Sequence, residues 1–244
     1  MGQIATILYS LKPQIDQIMY IADKYSTSHH NRELANEVYS CFSCLKPLSH
    51  KHRIVWYLKG GDRLCISEWI SVKPKWREKG GYVDDPERFL SCIVQYGDVL
   101  APYVRTSIRS YFSDLVALAK QLKPYPSEER IYVIDGERVL NFVNTSWDDK
   151  LIFEQVLAKK ISLHVGSLKY VSFYVQRKGK YEWIGFPVEK LASYIALEDF
   201  LDILLKIFSS IKDEVEALME HNKPIIQKMK DVAAIWKVCK TLQP

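Results

Sequence analysis

The chain has 244 residues, 48% of them apolar and 26% charged, which excludes a disordered chain and leaves room for one large or two small globular domains. A net charge of +5 does not by itself require a polyanionic partner, and five cysteines, an odd number, read as reduced thiols rather than a disulfide framework. No signal-peptide pattern and no apolar run of membrane-spanning length is visible, so the expectation is a cytoplasmic protein without a membrane span.

The opening MGQIAT matches the myristoylation pattern of Met-Gly followed, after three residues, by Ser or Thr, but no polybasic segment follows and a single acyl chain anchors weakly. Ile4, Ile7, Leu8, Leu11, Ile15, Ile18, Met19 and Ala22 fall at helical spacing, predicting a helix from Ile4 to Tyr25 that bends or restarts at Pro13. The polar STSHHN (26–31) reads as a loop. A second helix should then start near Arg32, carry Leu34, Val38, Cys41 and Leu45 along one side, and end before Pro47.

Three hairpins are expected. Arg53–Leu58 and Arg63–Ile70 flank a Gly-Gly turn; Arg130–Ile134 and Glu137–Val143 flank Asp135-Gly136, a dipeptide suited to a type I′ turn; Lys169–Val175 and Tyr181–Phe186 flank a turn with Gly179. Helices should separate them: one opened by Asp85-Pro86 and running to Gln95, one from Arg105 to Leu122, and one capped by Ser146 and carrying Leu151, Ile152, Val156 and Leu157.

The last quarter carries the clearest period. Leu197, Leu201, Leu204, Phe208, Ile211, Val215 and Leu218 alternate in fours and threes, and the spacing resumes with Ile225, Met229, Val232, Trp236 and Cys239 after EHNKP. Reading EHNKP as a turn gives two helices folded back on each other. The fold class is therefore α+β: an antiparallel sheet of about six strands built from three hairpins, flanked by helices, with a C-terminal antiparallel helical hairpin. The segments group as 1–123, 124–196 and 197–244, or as one interleaved domain.

Basic charge is concentrated in two places. From Ser49 to Gly81, Lys51, Arg53, Lys59, Arg63, Lys73, Lys75, Arg77 and Lys79 face only Asp62, Glu68 and Glu78. From Lys159 to Lys190, seven basic residues face Glu182 and Glu189. In the first, Trp76 is surrounded by Lys73, Lys75, Arg77 and Lys79, which offers phosphate contacts beside a stacking ring. In the second, strand alternation puts Val171, Phe173 and Val175 on one face and Tyr170 and Tyr174 on the other, beside Lys169, Arg177, Lys178 and Lys180. Rings on a sheet with a basic rim are one way to stack single-stranded bases. The competing reading covers the tyrosines with a helix and leaves the lysines as solubilising charge.

Phosphate-loop, dinucleotide-binding, zincin and nucleophile-elbow motifs are all missing. A zinc site could be drawn from Cys41, Cys44, His50 and His52 if Pro47 reversed the chain, although Cys41 equally continues an apolar helical side. A Mg²⁺- or Mn²⁺-dependent nuclease could be drawn from Asp62, Glu68, Asp84 and Asp85 with Lys73 or Lys75, but Ile70 stands where the restriction-type motif requires lysine. The leading expectation is a non-enzymatic accessory protein that needs no cofactor and binds nucleic acid, DNA or RNA, with the offered rings favouring single strands. The alternatives are the nuclease and a structural subunit that assembles with itself or a protein partner through 197–240.

Overall fold

The structure, a computed structural model, describes residues 2–45, 58–59, 63–64, 86–104, 106–126, 129–145, 151–164, 168–177, 179–193 and 198–241. Five α-helices are described: α1 (Gly2–Lys24), α2 (Thr27–Ser43), α3 (Pro86–Leu100), α4 (Arg109–Ala119) and α5 (Glu198–Thr241). The strands are β1 (Leu58–Lys59), β2 (Arg63–Leu64), β3 (Glu129–Thr145), β4 (Leu151–His164), β5 (Tyr170–Arg177) and β6 (Lys180–Pro187). Short 3-10 turns cover Ala101–Tyr103, Thr106–Ile108 and Val188–Ser193.

The mixture of helix and antiparallel sheet is as expected, but the expected single six-stranded sheet is not. β3, β4, β5 and β6 form one four-stranded antiparallel meander, and β1 with β2 forms a separate pair whose register joins Leu58 to Leu64 and Lys59 to Arg63. Asp135-Gly136 does not turn a hairpin; it lies inside β3, at an irregularity between Val133 and Arg138. The helix expected after Ser146 is instead β4. Its sequence, LIFEQVLAKKISLH, carries apolar residues at both helical and strand spacing, and pairing to β3 and β5 decides the outcome. The hairpin of β5 and β6 is present as expected, with Arg177 opposite Lys180 and Gly179 at φ +76°, a conformation that favours glycine.

Two helical boundaries also differ from the sequence pattern. The STSHHN segment is not a loop: α2 begins at Thr27, whose side chain is fully buried. The helix expected from Arg105 starts as the 3-10 turn Thr106–Ile108 and becomes α4 only at Arg109, with Lys120 at its C-terminus.

The C-terminal helical hairpin is replaced by one continuous helix. The four-three spacing does not stop at EHNKP: Leu218, Asn222 and Ile225 carry it across, and Asn222 is 2% exposed in the seam. Pro224 removes one helical hydrogen bond, but it sits on the exposed side, where water can serve the carbonyl that loses its donor. Pro13 is likewise exposed within an uninterrupted α1.

The chain folds into two compact units, Met1–His30 with Tyr125–Ala217, and Asn31–Pro124 with Leu218–Pro244. In the first, Val171, Phe173 and Val175 of β5 and Ala158 and Ile161 of β4 are buried. Phe200 of α5 meets Phe173 at 5.8 Å between ring centroids. Leu201, Leu204, Phe208, Ile211 and Val215 continue this core. α1 lies along the 3-10 turn Val188–Ser193 and is tied to α5 by the Tyr25 hydroxyl, which donates to Glu216 Oε1. In the second unit, Phe42 of α2 meets Phe89 of α3 and Phe112 of α4 edge-on at 5.4 and 5.7 Å. Ile225, Met229 and Trp236 of α5 are buried there, and Trp236 Nε1 donates to the Cys44 carbonyl at 3.3 Å. Most of the described seam residues are thus buried inside their own units.

Candidate nucleic-acid interface

The core side of the sheet takes every second residue of β5, so the alternate residues, Tyr170, Ser172, Tyr174 and Gln176, share the other face. Antiparallel register extends that face across the sheet. One row runs Val133, Lys160, Tyr174, Trp183, and the next runs Ile131, Ser162, Ser172, Gly185. Tyr181 joins through its pairing with Gln176.

The rings gather because of this register. Tyr174 and Trp183, directly opposed, have centroids 5.1 Å apart at 48°, while Tyr174 and Tyr181, on the diagonal, stack at 5.3 Å and 14°. Tyr170 settles over Gly185 in the row with the small residues Ser162 and Ser172. A Cβ at Gly185 would lie 2.4 Å from the Tyr170 ring, so only glycine lets the ring down onto the strand. Tyr170, Tyr181 and Trp183 nonetheless remain 39%, 42% and 45% exposed, so the rings lie open to a ligand rather than under a helix.

Cations lie over the same rings. Lys159 Nζ is 4.8 Å from the Tyr181 centroid and Lys160 Nζ 5.8 Å from that of Tyr174, both within cation–π range. Lys180, the first residue of β6, is exposed but alternates onto the face opposite Tyr181. Lys169 differs, because its ammonium pairs with Asp23 of α1 at 2.6 Å, and that hydrogen bond and the Asp23 charge raise its pKa. Arg177 closes β5 opposite Lys180. Leu168, just before Lys169, holds φ +53° with its side chain fully buried, so its burial offsets a backbone cost of about 1 kcal/mol.

Of the residues singled out in the sequence, Tyr170 and Tyr174 meet on this face, Lys180 alternates onto the opposite one, and Lys169 is engaged elsewhere. Lys73, Lys75, Trp76, Arg77, Lys79 and Lys178 lie outside the described residues, as do the acidic candidates Asp62, Glu68, Asp84 and Asp85 and the histidines His50 and His52. Cys41 is 2% exposed, and burial raises its thiol pKa; Cys44 Sγ donates to the Cys41 carbonyl at 2.8 Å. Among the described residues no three His, Cys, Asp or Glu side chains converge as metal ligands, and no helix is long and apolar enough to cross a membrane.

The sequence pattern missed Tyr181, Trp183, Lys159 and Lys160. Alternation along YEWIGF would have found the first two. The lysines were hidden by the helix expected at 151–157. Scans against protein-family models, curated proteins and solved structures find no match to this chain.

Proposed function

We propose that this sheet face binds single-stranded nucleic acid. The observation that supports it is the gathering of Tyr170, Tyr174, Tyr181 and Trp183 with Lys159 and Lys160 on one face. Bases expose their flat faces only when unpaired, and aromatic rings stack on them with little regard to sequence, while ammonium groups neutralise the adjoining phosphates. A duplex would offer phosphates but bury the base faces. The reading is therefore of a binding module, with no catalytic step assigned.

The test is titration of the protein with oligo-dT, oligo-U and duplex DNA while tryptophan fluorescence is followed in the wild type and in Trp183→Phe, whose difference among the six tryptophans is the Trp183 signal. Single strands should quench Trp183 and bind more tightly than duplex. Tyr181→Ala and Trp183→Ala should each weaken binding about 5- to 100-fold, the worth of one stacked base. Equal affinity for duplex, or undiminished binding by both variants, would refute the stacking role.

A further inference from the structure

Regular alternation along a strand sends consecutive side chains to opposite faces, yet Lys159 and Lys160 both reach the ring face. The register explains this. Ala158 pairs with Val175 and Lys160 with Tyr174, so the β4–β5 ladder skips Lys159. On the other side Lys160 pairs with Val133 and Ala158 with Arg138, so four residues of β3, 134–137, stand opposite Lys159. A bulge in both ladders at one residue redirects one side chain and bends the strand, and such bulges often re-aim side chains at sites.

From this geometry we infer that the bulge builds a paired phosphate clamp from Lys159 and Lys160, which leaves the Tyr181 and Tyr174 rings for the backbone of a bound single strand as bases take the ring faces. The inference rests on the function proposed above and adds two residues and a division of labour to it. Charge complementarity supports the occupant: two adjacent ammonium groups held over the Tyr181 and Tyr174 rings suit a polyanion whose charged backbone runs beside flat apolar bases. A protein strand added to the sheet would have no use for both cations on the ring face.

The experiment measures log Kd against log salt for labelled oligo-dT and oligo-U with the full chain. Lys159→Gln and Lys160→Gln should each lower the slope by about 0.7, and the double variant by about 1.4, the value for one and two single-strand phosphate contacts. Trp183 quenching at saturation should persist. Lys159→Arg with Lys160→Arg keeps the charge and should keep the slope, which separates the clamp from any loss of folding in the glutamine variants. A wild-type slope in a folded double glutamine variant would overturn the clamp and leave the stacking surface standing. Failure of the wild-type chain to bind either oligonucleotide would overturn both.

Discussion

Asn222 of α5 engages both backbone groups of Lys123: its Oδ1 accepts from the Lys123 N–H at 2.9 Å, and its Nδ2 donates to the Lys123 carbonyl at 2.8 Å. The same stretch is held again where His221 Nε2 donates to the Gln121 carbonyl at 3.1 Å. Asn222 is thus the polar member of an apolar seam, and it fixes the segment after α4 at one position along α5. Asn222→Leu would suit the heptad pattern but strip two backbone groups of their partner. It should lower stability by about 1–3 kcal/mol, read as a drop in the urea midpoint with an unchanged slope. An Asn222→Leu chain as stable as wild type would show that the seam alone sets the register.

Tyr25 gives the fold an alkaline limit. Its hydrogen bond to Glu216, then burial, raises its pKa above the ordinary tyrosine value. Unfolded tyrosine therefore loses its proton first as pH rises. The stabilisation is complete below pH about 10 and declines as the pH climbs from there through the raised folded value. Tyr25→Phe should cost about 1.5 kcal/mol at neutral pH, and the stability difference between the two chains should shrink in the alkaline range. A constant difference from neutral to strongly alkaline pH would contradict this.

The seat of Tyr170 on Gly185 predicts a specific non-additivity. Gly185→Ala pushes the ring off the strand and, since the ring is the exposed end of its side chain, should destabilise the sheet by about 1 kcal/mol. In a Tyr170→Ala background the same substitution should cost much less, because the clash is gone. Thermal melts of the four chains form the double-mutant cycle, and additive losses would mean the ring is not what Gly185 accommodates.

Several elements were legible in the sequence because one physical signal dominated each. Helical spacing located the apolar side of α1 and the α2 residues Leu34, Val38 and Cys41, and the alternation of β5 placed Tyr170 and Tyr174 opposite the buried Val171 and Phe173. Where two signals competed, the local one misled. Asp135-Gly136 has turn chemistry, but the neighbouring strand pairs on both sides of it and absorbs it as an irregularity. EHNKP is polar and contains proline, yet its Asn222 falls in the seam, so burial of Ile225, Met229 and Trp236 carries the helix through. The lysine pair was out of reach altogether, since a bulge depends on the registers of both neighbouring strands and leaves no local mark in AKKIS.

Cys41 should behave as a core residue. Burial raises its thiol pKa, so it stays protonated at neutral pH, and thiolates are the reactive form. Peptide mapping after brief treatment with a maleimide at pH 7 should find Cys41 unmodified in the native chain and modified after denaturation. Rapid native labelling at Cys41 would contradict its burial.

β3 is the outer strand of the meander: among the described residues it is hydrogen-bonded to β4 alone, and it shows Ile131 at 59% and Val133 at 74% exposure. A long border strand with apolar side chains in water is a template for further strands. Its consequence lies in handling and abundance: Val133→Lys should raise the concentration at which this protein stays dispersed without touching either core, read as the onset of light scattering.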